Sequence, residues 1–205
     1  MKYTEIQKYL EKLKVLSVED LKNIDENYNK SKIFKWKESW YLKQIIRWFY
    51  LYWNIQINQS LLYFISNKIY SPSYISLESA FNYYWIIPEQ VFSITGVSTK
   101  KSIYFDSEIA YFSYKKIKSD LFWWYKIVKI NDIKYLIAEI EKAILDYLYL
   151  QPKINSIEDF DWLRFNKDVL NEKIDFEKLE KYTKMFGNKA LEKRVEILIN
   201  YIKLW

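Results

Sequence analysis

The sequence predicts an α+β protein, with a small N-terminal module followed by a larger mixed domain. Two observations indicate this class. Segments with helical spacing of apolar residues alternate with short segments rich in aromatic and β-branched residues, which are typical of strands. Half of the 205 residues are apolar and 28% are charged, a balance that favours a buried core over disorder.

The first 57 residues indicate three short helices and a two-stranded hairpin. Apolar spacing predicts a helix over residues 3–14, and Ser17 with Asp20 predicts an N-cap and a helix from Val18 to Ile24. A third helix is predicted to end near Lys37, and strands follow over residues 41–47 and 49–52. This order is that of a winged helix-turn-helix, which we predict as a domain over residues 1–57.

Residues 58–205 are predicted to form the second domain. Helices over residues 60–70 and 76–84 precede an antiparallel meander of five strands over residues 91–137, with Asn131 and Asp132 as a tight turn. A strongly amphipathic helix follows over residues 139–150. C-terminal helices are predicted over residues 156–162, 175–186 and 190–204, with Asp175 as an N-cap and Gly187 as a stop.

Composition excludes several kinds of chemistry. The chain has no cysteine and no histidine, which excludes disulfides, Cys/His zinc sites and every nucleophile that needs a histidine base. With only two glycines it cannot form a glycine-rich phosphate loop. The carboxylate pairs Asp106/Glu108 and Asp159/Asp161 have a spacing that a metal-dependent nuclease could use. They match no nuclease motif, and we predict that they are ordinary surface acids. We therefore predict no enzyme activity, metal site or cofactor.

Positive charge is concentrated around the third helix and the first hairpin strand. The whole chain has a net charge of +6, and residues 27–47 contain six basic residues against Glu38 alone, a net charge of +5. In a winged helix these elements meet DNA, so lysines would contact phosphates and small polar residues would reach base edges. The predicted DNA-binding residues are Asn27, Asn29, Lys30, Ser31, Lys32, Lys35, Lys37, Lys43 and Arg47. The alternative is a solvated lysine face in a lysine-rich protein.

The sequence predicts neither a secretory signal nor a membrane span. The N-terminus lacks the apolar segment of a signal peptide. The longest charge-free run, residues 48–67, is too polar at its centre to cross a bilayer. We expect a cytoplasmic protein without membrane partners.

From residue 67 onward the sequence resembles a known family. The most specific motif is K-I-Y-S-P-S-Y-I-S-L-E-S-A at residues 68–80, and further matches lie at residues 83–84, 87–89, 93–95, 99–101, 112–114, 136–138, 141–146 and 163–166. These motifs resemble AbiEi-type antitoxins, the transcriptional regulators of abortive-infection toxin–antitoxin systems. The resemblance covers nearly the whole chain and is weakest before residue 40.

The resemblance implies a function in phage defence. It implies a winged helix that represses its own operon on inverted repeats in promoter DNA. It also implies a C-terminal domain that counteracts a nucleotidyltransferase toxin by the type IV route, for which direct contact with the toxin is not required. An antitoxin of this family is not an enzyme. The alternative is a protein-interaction module without DNA binding.

Four tryptophans stand where the family pattern has glycine: Trp40, Trp48, Trp85 and Trp124. Glycine is selected at tight turns for its positive φ, to which tryptophan is poorly suited. The chain has nine tryptophans and two glycines, an inversion of normal usage. Our hypothesis is that the four are UGA codons, which some bacterial lineages read as glycine. The alternative is that the tryptophans are genuine and fill core or surface positions.

Overall fold

Two β-sheets organise the chain, and helices pack on both of them. The computed structural model describes residues 7–9, 12–25, 29–39, 41–88 and 92–203. The predicted α+β class is confirmed there, with one sheet of three strands within residues 15–52 and one of six strands within residues 73–138.

The N-terminal module combines the smaller sheet with short helices. Its elements are β1 (Val15–Ser17), α1 (Val18–Ile24), α2 (Lys30–Glu38), β2 (Leu42–Ile46) and β3 (Phe49–Tyr52), and residues 7–9 and 12–13 are also helical. The strands are antiparallel in the order β1-β3-β2. β1 was not predicted, because its three residues are too few for an alternating pattern. The predicted N-cap at Ser17 is confirmed, with a full capping box to Asp20.

The larger sheet is mixed. Its strands are β4 (Ser73–Ile75), β5 (Ser93–Ser98), β6 (Ile103–Asp106), β7 (Tyr111–Lys116), β8 (Tyr125–Ile130) and β9 (Ile133–Ala138). They lie in the order β6-β7-β5-β4-β9-β8, with β5 parallel to β7 and β4 parallel to β9. The predicted antiparallel meander is therefore wrong, although the β6/β7 and β8/β9 pairs are antiparallel. Residues 73–75 were predicted only as part of the connection between two helices, but they form β4, which lies between β5 and β9, and β6 lies at the sheet edge so that β5 pairs with β7.

Helices enclose this sheet and form the C-terminal part of the chain. They are α3 (Gln59–Ile69), α4 (Glu78–Tyr84), α5 (Ile140–Leu150), α6 (Ile157–Trp162), α7 (Lys167–Lys173), α8 (Phe176–Phe186) and α9 (Lys189–Lys203). The N-cap at Asp175 and the left-handed stop at Gly187 are confirmed, whereas the short helix α7 was not predicted. Within the described ranges, no helix is long and apolar enough to cross a membrane.

The apolar core divides into two clusters that meet at the smaller sheet. The small cluster joins α1 and α2 to one face of that sheet through Leu16, Val18, Leu21, Ile33, Leu42 and Tyr50. The opposite face contributes Val15, Ile45 and Leu51 to the large cluster, which fills the rest of the protein. Because neighbouring residues of a strand point to opposite faces, the smaller sheet is buried on both sides. The predicted domain division after residue 57 falls between β3 and α3 and stays a prediction.

A buried ion pair within α5 is hydrogen-bonded to the middle of the larger sheet. Lys142 and Asp146 lie one helical turn apart and form an ion pair in which neither side chain has exposed surface. Asp146 Oδ2 also accepts hydrogen bonds from the hydroxyl groups of Tyr74 and Ser76, each at 2.9 Å. The Lys142 ammonium lies 5.0–5.6 Å from the ring centroids of Tyr74, Trp123 and Phe186. These bonds offset the cost of removing two charges from water.

Removal of Asp146 should destabilise the protein strongly. Asp146→Ala leaves the Lys142 ammonium buried without its partner, and we expect a loss of about 3–5 kcal/mol in the free energy of unfolding, measured in urea. Asp106→Ala, at the exposed end of β6, is the matched control and should cost no more than about 0.5 kcal/mol.

A double variant tests whether the loss is electrostatic. Lys142→Met/Asp146→Leu removes both charges and keeps most of the side-chain volume, so it should recover much of the stability lost by Asp146→Ala. A double variant no more stable than the single one would contradict an origin in the unpaired charge.

Candidate nucleic-acid interface

Helix α2 packs one side on the small core and exposes the other. Ile33 is buried, whereas five residues at helical spacing on the opposite side are exposed: Lys30, Ser31, Phe34, Lys35 and Glu38. Three predicted DNA-binding residues therefore share this outer face. Phe34, which is 61% exposed, was not predicted, because it is neither polar nor basic, although its spacing from Lys30 places it on the same helix face.

The start of α2 combines an N-cap with positive charge. The side-chain oxygen of Asn29 accepts a hydrogen bond from the Ser31 backbone N–H at 3.0 Å, so it is occupied by the cap and not directed to a base edge. The first turn contains Lys30 and no acidic residue. A cation is unfavourable at the positive end of a helix dipole, and a bound anion would compensate for it.

The tip of the β2–β3 hairpin lies against the start of α2. The connection consists of Arg47 and Trp48. The Arg47 guanidinium lies 4.6 Å from the Trp48 ring centroid, and Lys30 Nζ lies 5.4 Å from the same centroid. The Val18 backbone N–H donates to the Trp48 carbonyl at 2.9 Å, which fixes the hairpin tip to the start of α1. The fold therefore places Lys30 and Arg47 at the same hairpin tip.

A cleft of about 600 Å³ opens between the hairpin tip and α1. It is lined by Ser17, Val18, Glu19, Lys22, Asn23, Lys30, Trp48 and Phe49. Lys22, exposed in the last turn of α1, is a further cation at this surface. It was not predicted because it lies upstream of residues 27–47, where the basic residues are concentrated. Glu19 supplies an opposing charge in the cleft.

The remaining predicted DNA-binding residues lie away from the outer face of α2 or outside the described residues. Lys37 hydrogen-bonds to Gln44 on β2. Lys43 lies on the face of the smaller sheet opposite α2, because its cross-strand partner in β3 packs into the large core. Asn27 and the side chain of Lys32 lie outside the part of the chain that the structure describes.

The two carboxylate pairs have ordinary surroundings. Asp106 and Glu108 are exposed. Asp159 accepts hydrogen bonds from two backbone N–H groups at the start of α6, at 2.9 and 3.0 Å. Asp161 is on the same helix, where residues two apart do not share a face as they would on a strand. Within the described ranges, no group of three or more acidic residues could hold a metal ion.

No family model matches the sequence, and no curated protein matches it. The functional interpretation therefore depends on the motifs of the sequence and on the geometry of this surface.

Ser17, which lines the cleft, forms a capping box with Asp20 at the start of α1. Asp20 Oδ2 accepts hydrogen bonds from the Ser17 backbone N–H and hydroxyl, both at 2.8 Å, and lies 3.1 Å from Lys68 Nζ on α3. Burial raises the pKa of Asp20, but the bonds from Ser17 and Lys68 outweigh burial and lower that pKa below its ordinary value. The box therefore holds α1 more strongly while Asp20 is ionised.

Stability should fall in acid through Asp20. A carboxyl group with a lowered pKa stabilises the fold above the unfolded pKa of about 3.9, and this contribution disappears as pH falls through the folded pKa. Asp20→Asn should therefore be less stable than wild type at pH 7 in urea unfolding, and the difference should shrink below about pH 4. Asn58→Ala removes the cap of α3, which has no carboxylate, and should cost about 1 kcal/mol at every pH. A constant Asp20→Asn difference would contradict the prediction.

Proposed function

We propose that residues 1–57 form a winged helix-turn-helix that binds double-stranded DNA. The order helix, β1, α1, α2, β2, β3 and the sheet order β1-β3-β2 support this, with α2 as the recognition helix and the β2–β3 hairpin as the wing. The observation that carries the proposal is that both Lys30 and Arg47 lie at the wing tip, beside the exposed face of α2.

Each group on this surface has a role suited to its chemistry. The outer face of α2 enters the major groove, where Lys30 and Lys35 neutralise phosphates. The Ser31 hydroxyl reaches a base edge, and Phe34 packs on a thymine methyl group. Arg47 at the wing tip contacts the backbone or the adjacent minor groove.

The biological role that we propose is that of an antitoxin and autorepressor. The support is the resemblance of residues 67–205 to AbiEi-type antitoxins. Two copies bind inverted half-sites in the promoter of their own operon, and residues 58–205 counteract a nucleotidyltransferase toxin without a requirement for direct contact. The chain acts in the cytoplasm, has no catalytic role and needs no cofactor.

Charge reversal on α2 should weaken promoter binding strongly. Lys30→Glu/Lys35→Glu removes two phosphate contacts, so binding to promoter DNA should weaken about 100-fold or more. The slope of log affinity against log salt should become shallower by about 0.9 for each lost contact. Fluorescence anisotropy with labelled promoter DNA at several salt concentrations measures both effects.

The matched control is Lys181→Glu/Lys193→Glu. It makes the same charge change at exposed lysines of α8 and α9, far along the chain from α2. This variant should keep most of the affinity. Equal losses in the two double variants, with unchanged circular dichroism, would contradict the assignment of α2.

DNA binding and toxin neutralisation should be separable. When expressed from an unrelated promoter beside the toxin of the same operon, Lys30→Glu/Lys35→Glu should still restore growth, because the neutralising function is proposed for residues 58–205. Loss of growth rescue by this folded variant would contradict the division of functions. Rescue by a wild-type protein that binds no promoter DNA would instead favour the protein-interaction module.

A further inference from the structure

Three tryptophans have backbone conformations that suit glycine. Trp48, Trp85 and Trp124 have φ angles of 76°, 66° and 53°. In this left-handed region the Cβ atom crowds the carbonyl oxygen, and a bulky side chain there is an outlier. Three of the seven tryptophans in the described ranges are left-handed. Among all other described non-glycine residues only four are, namely Lys14, Leu77, Asn131 and Arg164.

Trp85 is the left-handed residue of a Schellman motif at the end of α4. Its N–H donates to the Asn82 carbonyl at 3.1 Å, and the N–H of Ile86 donates to the Phe81 carbonyl at 2.8 Å. Ile86 and Phe81 are both buried, as the apolar contact of this motif requires. The left-handed residue of the motif is usually glycine. The Trp85 indole is 70% exposed and so gains little from packing.

The same chain has glycine in the equivalent place of α8. Gly187 has φ 58° and ψ 34°, and Trp85 has φ 66° and ψ 24°. The Gly187 N–H donates to the Lys184 carbonyl at 3.1 Å, the same spacing and length as the bond from Trp85 to Asn82. The two helices therefore end in the same left-handed conformation, with tryptophan in α4 and glycine in α8.

The other two tryptophans are equally poorly matched to their positions. Trp48 is the second residue of a two-residue hairpin connection, where turns with a positive φ need glycine or asparagine. The Trp124 ring stacks on Tyr182 with centroids 3.2 Å apart, and its centroid is 3.1 Å from that of Trp123. Carbon atoms in favourable contact are about 3.5–4.0 Å apart, so this indole is crowded.

We propose that the natural protein carries glycine at positions 48, 85 and 124, encoded by UGA codons that its host reads as glycine. The four other described tryptophans lack a positive φ and are assigned as tryptophan: Trp36, Trp53, Trp123 and Trp162. Trp40 lies outside the described residues, so no backbone angle bears on it.

Glycine at position 48 changes the wing tip. It removes the ring that both Lys30 and Arg47 contact and narrows the hairpin at the point where a wing meets DNA. The Lys30 and Arg47 side chains then no longer contact a ring and can pair with phosphate. This consequence rests on the proposed DNA-binding function, whereas the codon assignment does not.

Mass spectrometry of the protein purified from its own host tests the assignment directly. Peptides that span positions 48, 85 and 124 should have masses with a glycine residue, and those that span Trp53 and Trp162 should have tryptophan. A tryptophan mass at any of the three positions, or a UGG codon there, overturns the assignment of that position.

Thermal unfolding of the tryptophan form gives an independent test. Trp48→Gly and Trp85→Gly should each raise Tm by about 2 °C or more, because glycine relieves the left-handed strain. Trp85→Ala retains Cβ and should gain less. Trp162→Gly, at an exposed helical position without a positive φ, is the matched control and should lower Tm. A lower Tm for both Trp48→Gly and Trp85→Gly would overturn the proposal.

The DNA-binding consequence is tested separately. If the wing acts as proposed, Trp48→Gly should bind promoter DNA more tightly than the tryptophan form in the anisotropy assay. A raised Tm with unchanged DNA affinity would support the glycine assignment and contradict the wing contact.

Discussion

The larger sheet and its helices depend on the bonds that the buried Asp146 carboxylate makes to a central strand of that sheet. Tyr74 lies in β4 and Ser76 directly follows it, so their hydroxyl groups tie α5 to the strand between β5 and β9. Ser76 is bonded in turn to Thr95 on β5, with its N–H donating at 3.2 Å and its carbonyl accepting from the Thr95 hydroxyl at 2.7 Å. One hydrogen-bonded network thus joins α5, β4 and β5. At its centre the Asp146 carboxylate has three partners: Lys142, Tyr74 and Ser76.

This network explains the most specific motif of the sequence. The block at residues 68–80 contains β4 and the sharp corner into α4. At that corner Leu77 has φ 59° and ψ −138°, a conformation that persists only where the surroundings enforce it. Reciprocal bonds enforce it here, because the Ser79 N–H donates to the Thr95 hydroxyl and the Thr95 N–H donates to the Ser79 hydroxyl, at 2.9 and 2.7 Å. The motif's small hydroxyl residues therefore build a strand-to-helix corner.

Local signals predicted the elements of this fold, but not their neighbours. The capping pattern of Ser17 and Asp20 predicted α1, and Gly187 predicted the end of α8, since each depends on residues within one turn. The three residues of β4 are too short to show a period of two, and their partners in β5 and β9 lie far along the chain. Likewise, the charge run indicated α2 but not which lysines share its face. Lys35 and Lys43 point to different surfaces, and these directions depend on how the helix and the hairpin pack together.

The left-handed turns show why the backbone, not the side chain, determines these positions. The carbonyl of Trp48 accepts a bond from Val18, and that of Trp124 accepts one from Glu139 at 3.1 Å, so each turn is fixed by a distant element. The turn at Trp85 is fixed by the paired bonds that end α4. A residue at such a position cannot relax to a negative φ without breaking a bond on which neighbouring elements depend. The left-handed conformation therefore persists whatever residue is present, and a bulky residue there is strained. Glycine alone removes the strain, because it has no Cβ to conflict with the turn.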